Sequence, residues 1–232
     1  MAQIVIYNDS NTILIDDEYV NNTMVSKYTL SLSGFQVGFG RFYDFTIEYG
    51  SEYGQYPPVI ALYKLESLIA LARVSNVRLS NGGWSRTYRI VGDVTNSDTF
   101  ELYVFGIPQQ SSGAGQGLVV LYNAQGVITF DSGLKYVRMV DFIDFRGMDR
   151  YGTATLVKTY VPGRKYAVIF SQNNLRYNTA GTPGGVGDVL ATACAITGSG
   201  VRIGAHWMKG TTDAPYTENS GLKLMVIDVT GM

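Results

Sequence analysis

The chain has 232 residues, with 18 basic and 19 acidic side chains, one His, one Cys and a formal net charge of −1. That length can bury a proper core in one large or two small domains, and the balanced charge gives no electrostatic footprint for nucleic acid or an anionic membrane. One His and one Cys exclude a zinc site of the Cys/His type and a disulfide framework.

The opening MAQIVIYNDS has neither a basic stretch nor an apolar run of signal-peptide length, so no export signal is expected there. Short runs of β-branched and aromatic residues follow, separated by Gly, Asn, Asp and Ser clusters, which is the grammar of an all-β chain. Ile4-Val5-Ile6-Tyr7 and Thr12-Ile13-Leu14-Ile15 flank Asn8-Asp9-Ser10-Asn11 and predict a first hairpin. Residues 118–122 and 127–130 flank Asn123-Ala124-Gln125-Gly126 and predict a second, with the better-specified turn.

These two hairpins share a pattern, since Tyr7-Asn8 leads to Ile13 and Asp16 as Tyr122-Asn123 leads to Ile128 and Asp131. A duplicated hairpin, or two lobes that each begin with one, would produce it; so would chance agreement between amphipathic hairpins. Three further hairpins are predicted across Asn81-Gly82-Gly83, Pro162-Gly163 and Gly198-Ser199-Gly200. Between the candidate lobes, residues 109–117 are rich in Gly, Ser and Gln, as in a connector. The expected organisation is therefore a β-sandwich domain over 1–108, that connector, and a second β-sandwich domain over 118–232.

Residues 59–74 carry two readings. Leu62, Leu65, Leu68, Ile69 and Ala72 fall at helical spacing after Pro57-Pro58, whereas the neighbouring composition favours strands over 59–64 and 68–79. Lys64, Glu66 and Arg73 interrupt this apolar region and argue against a membrane-spanning helix. The last run, residues 221–229, is apolar on both alternating faces, which predicts a strand covered on both sides.

No set of residues spells out a reaction. His206 has no G-x-S-x-G elbow to serve, and Cys194 sits among small and apolar residues as a buried thiol would. Asp141, Asp144 and Asp149 could supply the paired carboxylates of a glycosidase, but Arg138, Arg146 and Arg150 interleave with them as in surface ion pairs. The calcium-loop pattern is missing, and residues 181–188, although Gly-rich, lack the Gly-Lys-Ser/Thr ending of a phosphate loop. No cofactor and no metal are expected.

The 17 tyrosines are the strongest compositional clue. Tyr49, Tyr53 and Tyr56, with Trp84 and the loop residues Tyr177 and Asn178, are the candidate contacts to a partner protein or a glycan, because tyrosine offers contact area and a hydroxyl at low entropic cost. Low charge together with this composition suits a chain that hides surface in an assembly.

The segment FDSGLKYVRMVDFI, behind the VVLYNAQGVI hairpin and together with the opening MAQIVIYNDSNTILIDDEY, resembles the small tail proteins of long-tailed bacteriophages encoded near tail-tip and host-recognition genes. The resemblance is concentrated at the first and middle hairpins, and the region after Leu156 lies outside it. It implies a non-enzymatic structural role in the virion and offers no catalytic residues. The expectation is an all-β virion protein, assembled in the host cytoplasm, that joins copies of itself and other virion proteins through β-edges and Tyr-rich faces. The alternatives are a carbohydrate- or receptor-binding module at the virion surface and a glycoside-cleaving enzyme using Asp141 and Asp144.

Overall fold

Apolar residues at every second position build the strands. In the stretch from Tyr43 to Tyr49, Phe45, Ile47 and Tyr49 are buried while Asp44, Thr46 and Glu48 are exposed, the period that a pleated strand with one covered face requires. The computed structural model describes residues 5–7, 13–16, 22–31, 36–37, 41–53, 58–63, 67–92, 99–108, 118–145, 155–170, 175–178, 188–197, 199–208 and 222–232. Among these there are eighteen strands and one 3-10 turn at Ser51–Tyr53, with no α-helix. The predicted connector 109–117 lies outside the described residues, as do Tyr56, Asp149 and the Gly-rich stretch from 181 to 187.

In the first half of the chain, β1 (Val5–Tyr7) and β2 (Ile13–Asp16) form a hairpin, followed by β3 (Thr23–Ser31), β4 (Gln36–Val37), β5 (Arg41–Tyr49), β6 (Val59–Tyr63), β7 (Ile69–Arg78), β8 (Trp84–Gly92) and β9 (Thr99–Gly106). In the second, β10 (Val120–Tyr122) and β11 (Ile128–Asp131) form a hairpin, followed by β12 (Met139–Phe145), β13 (Leu156–Thr159), β14 (Tyr166–Phe170), β15 (Leu175–Asn178), β16 (Asp188–Thr197), β17 (Gly200–Met208) and β18 (Leu222–Asp228). Residues 59–63 and 69–78 are thus strands, in keeping with the strand reading of that region.

Two antiparallel sheets pack face to face as a β-sandwich. One has the order β12-β18-β14-β6-β9-β3; the other runs β13-β17-β16-β7-β8-β5-β4, with β15 also paired to β16. Each order reads as a half followed by its mirror-ordered counterpart. β3, β6 and β9 occupy in the first half the places of β12, β14 and β18 in the second, and β5, β7 and β8 those of β13, β16 and β17.

The correspondence extends to single residues. Val5↔Asp16, Ile6↔Ile15 and Tyr7↔Ile13 in the first hairpin match Val120↔Asp131, Leu121↔Phe130 and Tyr122↔Ile128 in the second, with the register shift at the same step. The β3–β9 ladder shifts register between Met24 and Ser26, and the β12–β18 ladder between Met139 and Asp141. A Met-Val pair, Met24-Val25 or Met139-Val140, stands at the bulge each time. Conserving a bulge at an equivalent place is hard to obtain by chance, because the extra residue resets the facing of every side chain beyond it. The chain is an internal duplication.

The halves are joined edge to edge in both layers, through equivalent strands. β6 meets β14 at Leu62↔Val168, and β7 meets β16 at Ile69↔Cys194, both antiparallel. Like elements meeting antiparallel is what a two-fold axis generates. A third junction links the segments entering β3 and β12, where the Met24 N–H donates to the Lys135 carbonyl at 2.7 Å and the Val137 N–H to that of Asn22 at 3.1 Å. The 1–108 and 118–232 units of the sequence reading therefore share both sheets.

Each half has its own core between the layers. Phe45, Ile69 and Ile90 of one sheet pack with Leu62, Phe100 and Leu102 of the other in the first half. Cys194, Val201 and Ile203 pack with Val168, Leu224 and Val226 in the second. A third cluster, on the opposite face of the six-stranded sheet, spans the junction with Ala61, Tyr103, Phe105, Ala167 and Ile227. β18 contributes to two of these clusters, as its apolar run predicts.

One expected hairpin needs correction. The hairpin expected across Pro162-Gly163 does not form, because β13 pairs with β17 in one sheet while β14 pairs with β18 and β6 in the other. That turn is a crossover between layers, with Gly163 at φ 78°. The hairpins across Asn81-Gly82-Gly83 and Gly198-Ser199-Gly200 do form, as β7–β8 and β16–β17.

Candidate functional site

The predicted contact residues do not converge on one exposed face. Tyr49 and Tyr53 are core residues, 4% and 6% exposed, packed edge to face with ring centroids 6.0 Å apart. The Tyr49 hydroxyl lies 3.5 Å from that of Tyr88, and burial, then its proximity to Tyr88, pushes its pKa above the ordinary phenol value. The expectation that these two rings greet a partner is overturned: the alternation through β5 turns Tyr49 inward, and Gly106 leaves room where the Tyr53 ring packs, a Cβ there falling 2.6 Å from the ring. Trp84 is half-buried against the first core, with the Arg78 guanidinium 5.5 Å from its ring centroid. Tyr177 and Asn178 lie on β15, opposite Val189 and Asp188 of β16; their side chains, like all of Tyr56, lie outside the described residues.

The residues weighed for catalysis are likewise spread out. Asp141 and Asp144 stand three apart beyond the bulge of β12 and so face opposite sides of the sheet. Asp141 accepts hydrogen bonds from Lys158 Nζ at 3.1 Å and from the Tyr160 hydroxyl at 3.0 Å. Cys194 is fully buried, and burial pushes its thiol up to about 12. His206 is on β17 opposite Ala191; its side chain is outside the described residues. Among the described residues no group of His, Cys, Asp and Glu is arranged to hold a metal ion.

Two features of the surface were not visible in the sequence. The first is a charged network on the outward face of the six-stranded sheet. Glu101 on β9 accepts from Lys165 at 2.6 Å, from Lys27 of β3 at 3.0 Å and from the Tyr103 hydroxyl. Desolvation pushes the Glu101 carboxyl up, but the hydrogen bonds from Lys165, Tyr103 and Lys27 outweigh it and hold the pKa down at about 2. Lys165 also lies over the Tyr63 ring, 4.2 Å from its centroid. Partners more than sixty residues apart in the chain leave no local signal.

The second feature is a sheet edge to which, among the described residues, no further strand is paired. β12 ends the six-stranded sheet and β13 ends the other layer, at the same end of the molecule, tied together by the contacts of Asp141 with Lys158 and Tyr160. Phe142 and Met139 of β12 are 51% and 63% exposed and Val140 is exposed at the bulge; because Ile143 and Leu156 face the core between the layers, Phe142 and the exposed Val157 of β13 lie on opposite outer faces. Apart from this edge, the β10–β11 hairpin, which touches β2, exposes Leu118, Val119 and Tyr122, while Ile128, Thr129 and Asp131 on its strands are buried. Its turn is fixed by Asn123, whose side-chain oxygen accepts from the N–H groups of Gln125 and Val127, with Gly126 at φ 75°.

Lone exposed apolar residues are ordinary, but several on one sheet edge are a mark of contact surface. The opposite end of the molecule is different. There the equivalent strand β3 exposes Lys27, Tyr28 and Thr29, and β4 covers the edge of β5. Compared with family models, curated proteins and solved structures, the chain matches none of them.

Proposed function

We propose that the protein is a non-enzymatic structural component of a bacteriophage virion, in the tail, that works by adhering to other subunits through its sheet edges. The observation that carries the adhesive part is the end strand β12, which leaves Met139, Val140 and Phe142 exposed at the edge of its sheet. A sheet edge offers unpaired backbone groups in a row, and apolar side chains beside it add area without a desolvation penalty. The duplicated sandwich supports the same reading, since two copies of one fold are already joined edge to edge within the chain. The virion assignment rests on the resemblance of the first and middle hairpins to phage tail proteins. Tyr49 and Tyr53 form no part of the surface, so the adhesive face is the edge.

The test is mass spectrometry of particles purified from the phage that encodes this chain. Its peptides are expected at a fixed copy number per particle, resistant to salt washing. Particles that carry none of it would overturn the reading.

A further inference from the structure

We propose that the outer edge of the second half, β12 with β13, is a two-fold interface to a second copy of this same chain. The inference rests on the reading of the protein as an assembly component and names the partner. Three observations select a second copy.

The first is the mode of contact already present. At the internal junction both layers continue at once, because β6 meets β14 in one sheet and β7 meets β16 in the other. At the far end of the second half both layers, among the described residues, again stop together, at β12 and β13, so a second molecule related by a two-fold axis extends both sheets in the same manner. The free end of the first half lacks this property, since β4 extends the eight-stranded layer beyond β5.

The second is the difference between equivalent residues. Lys27 stands three residues past Met24 at one bulge and Phe142 three past Met139 at the other. Lysine on an edge strand blocks further pairing, and Lys27 is held in place by Glu101 at 3.0 Å. On β12 that place is taken by an exposed phenylalanine, and the lysine at this end, Lys158 of β13, is drawn across to Asp141 of β12 at 3.1 Å.

The third is self-complementarity. An antiparallel β12–β12 pair centred on Phe142 sets that ring against its own copy and Asp144 opposite Val140, so no like charges face each other directly. The contact closes on itself and leaves the Lys27 end at both extremities, giving a discrete dimer.

The experiment uses the full chain in sedimentation velocity from about 1 to about 100 μM, a range that covers the affinities of ordinary interfaces. The parent is expected to shift to dimer as concentration rises, Phe142→Lys to stay monomeric throughout, and Thr29→Lys, at the other end, to behave as the parent. Because residue 142 is on the surface, circular dichroism of Phe142→Lys is expected to match the parent. Phe142→Cys under mild oxidation is expected to give a disulfide-linked dimer, while the parent, whose Cys194 is fully buried, gives none.

A parent that is monomeric at about 100 μM, or a Phe142→Lys chain that dimerises as the parent does, overturns the inference. A chain that self-associates regardless of residue 142 overturns it while leaving the assembly reading intact. A Phe142-dependent dimer that is absent from purified particles supports the interface and overturns the virion reading.

Discussion

Asp228→Asn probes how the last strand is locked into place. The Asp228 side chain is 3% exposed and takes Arg164 at 2.8 Å and Arg138 at 3.5 Å. Arg164 binds Oδ2, while Oδ1 faces Arg138 and also accepts the Thr230 N–H at 2.8 Å, closing a turn just beyond β18. Removing one partner of a fully buried ion pair costs 3–5 kcal/mol, whereas exposed pairs are worth roughly 0–1 kcal/mol. Here the carboxylate is buried but both arginines are about half exposed, at 54% and 49%, and can turn to water when released. Asparagine also keeps an acceptor for Thr230. The expected loss is therefore about 2 kcal/mol at pH 7, or roughly 4–8 °C in Tm for a chain of this length.

The pH dependence follows from the same contacts. Desolvation pushes the Asp228 carboxyl up, but the bonds from Thr230 and the two arginines outweigh it, so the folded pKa lies below the ordinary value of 3.8. A carboxylate depressed in the folded state contributes stability that is fully present above its unfolded pKa and is lost as pH falls through the folded one. Urea unfolding of parent and Asp228→Asn should show the full gap at pH 7 and a gap shrinking below pH 3.8. Equal stability at pH 7, or a gap that does not change on acidification, would refute the argument.

Other consequences can be checked alongside it. Glu101→Gln should destabilise by about 2 kcal/mol near neutrality, read by denaturant unfolding, with the difference fading as pH falls from 4.5 toward 2, the folded pKa of the group. Leu62→Ala, at a fully buried site on the junction, should cost about 3 kcal/mol, and combining it with Val168→Ala should depart from additivity because the two residues are paired across the halves. Gly200→Ala should cost more than Gly126→Ala in thermal melts. A Cβ at Gly200 would fall 2.3 Å from the Lys158 carbonyl oxygen, whereas at Gly126 it meets nothing within 4 Å and only the φ of 75° resists it, by about 1 kcal/mol.

Much of the strand content was legible because it is local. Asn123 and Gly126 specify a turn by side-chain acceptor and positive φ, and flanking alternation does the rest. The shared spacing of Tyr7 to Asp16 and Tyr122 to Asp131 pointed to a duplication, which the paired bulges at Met24-Val25 and Met139-Val140 extend through the two halves. Sheet membership was not legible. Pro162-Gly163 makes a good turn whether the chain folds back on its own sheet or crosses to the other, and only the distant partners β17 and β18 decide.

The surface was least legible of all. Tyrosine serves equally in a core and at an interface, so composition alone misplaced Tyr49 and Tyr53; the two-residue period through Phe45, Ile47 and Tyr49 carried the signal that one of them faces inward. β12 has apolar groups on both faces, and nothing local tells that Ile143 is covered while Phe142 is not. Ile143 faces the core between the layers, whereas Phe142 lies on the outer face of the sheet, and only the packing of the second layer decides which face that is.

On the proposed virion reading, deleting the gene from the encoding phage and imaging the resulting particles tests the assembly role most directly. The account predicts particles with a missing or unstable tail part, restored by the parent chain supplied in trans. Complete, fully infectious particles made without the protein would contradict it.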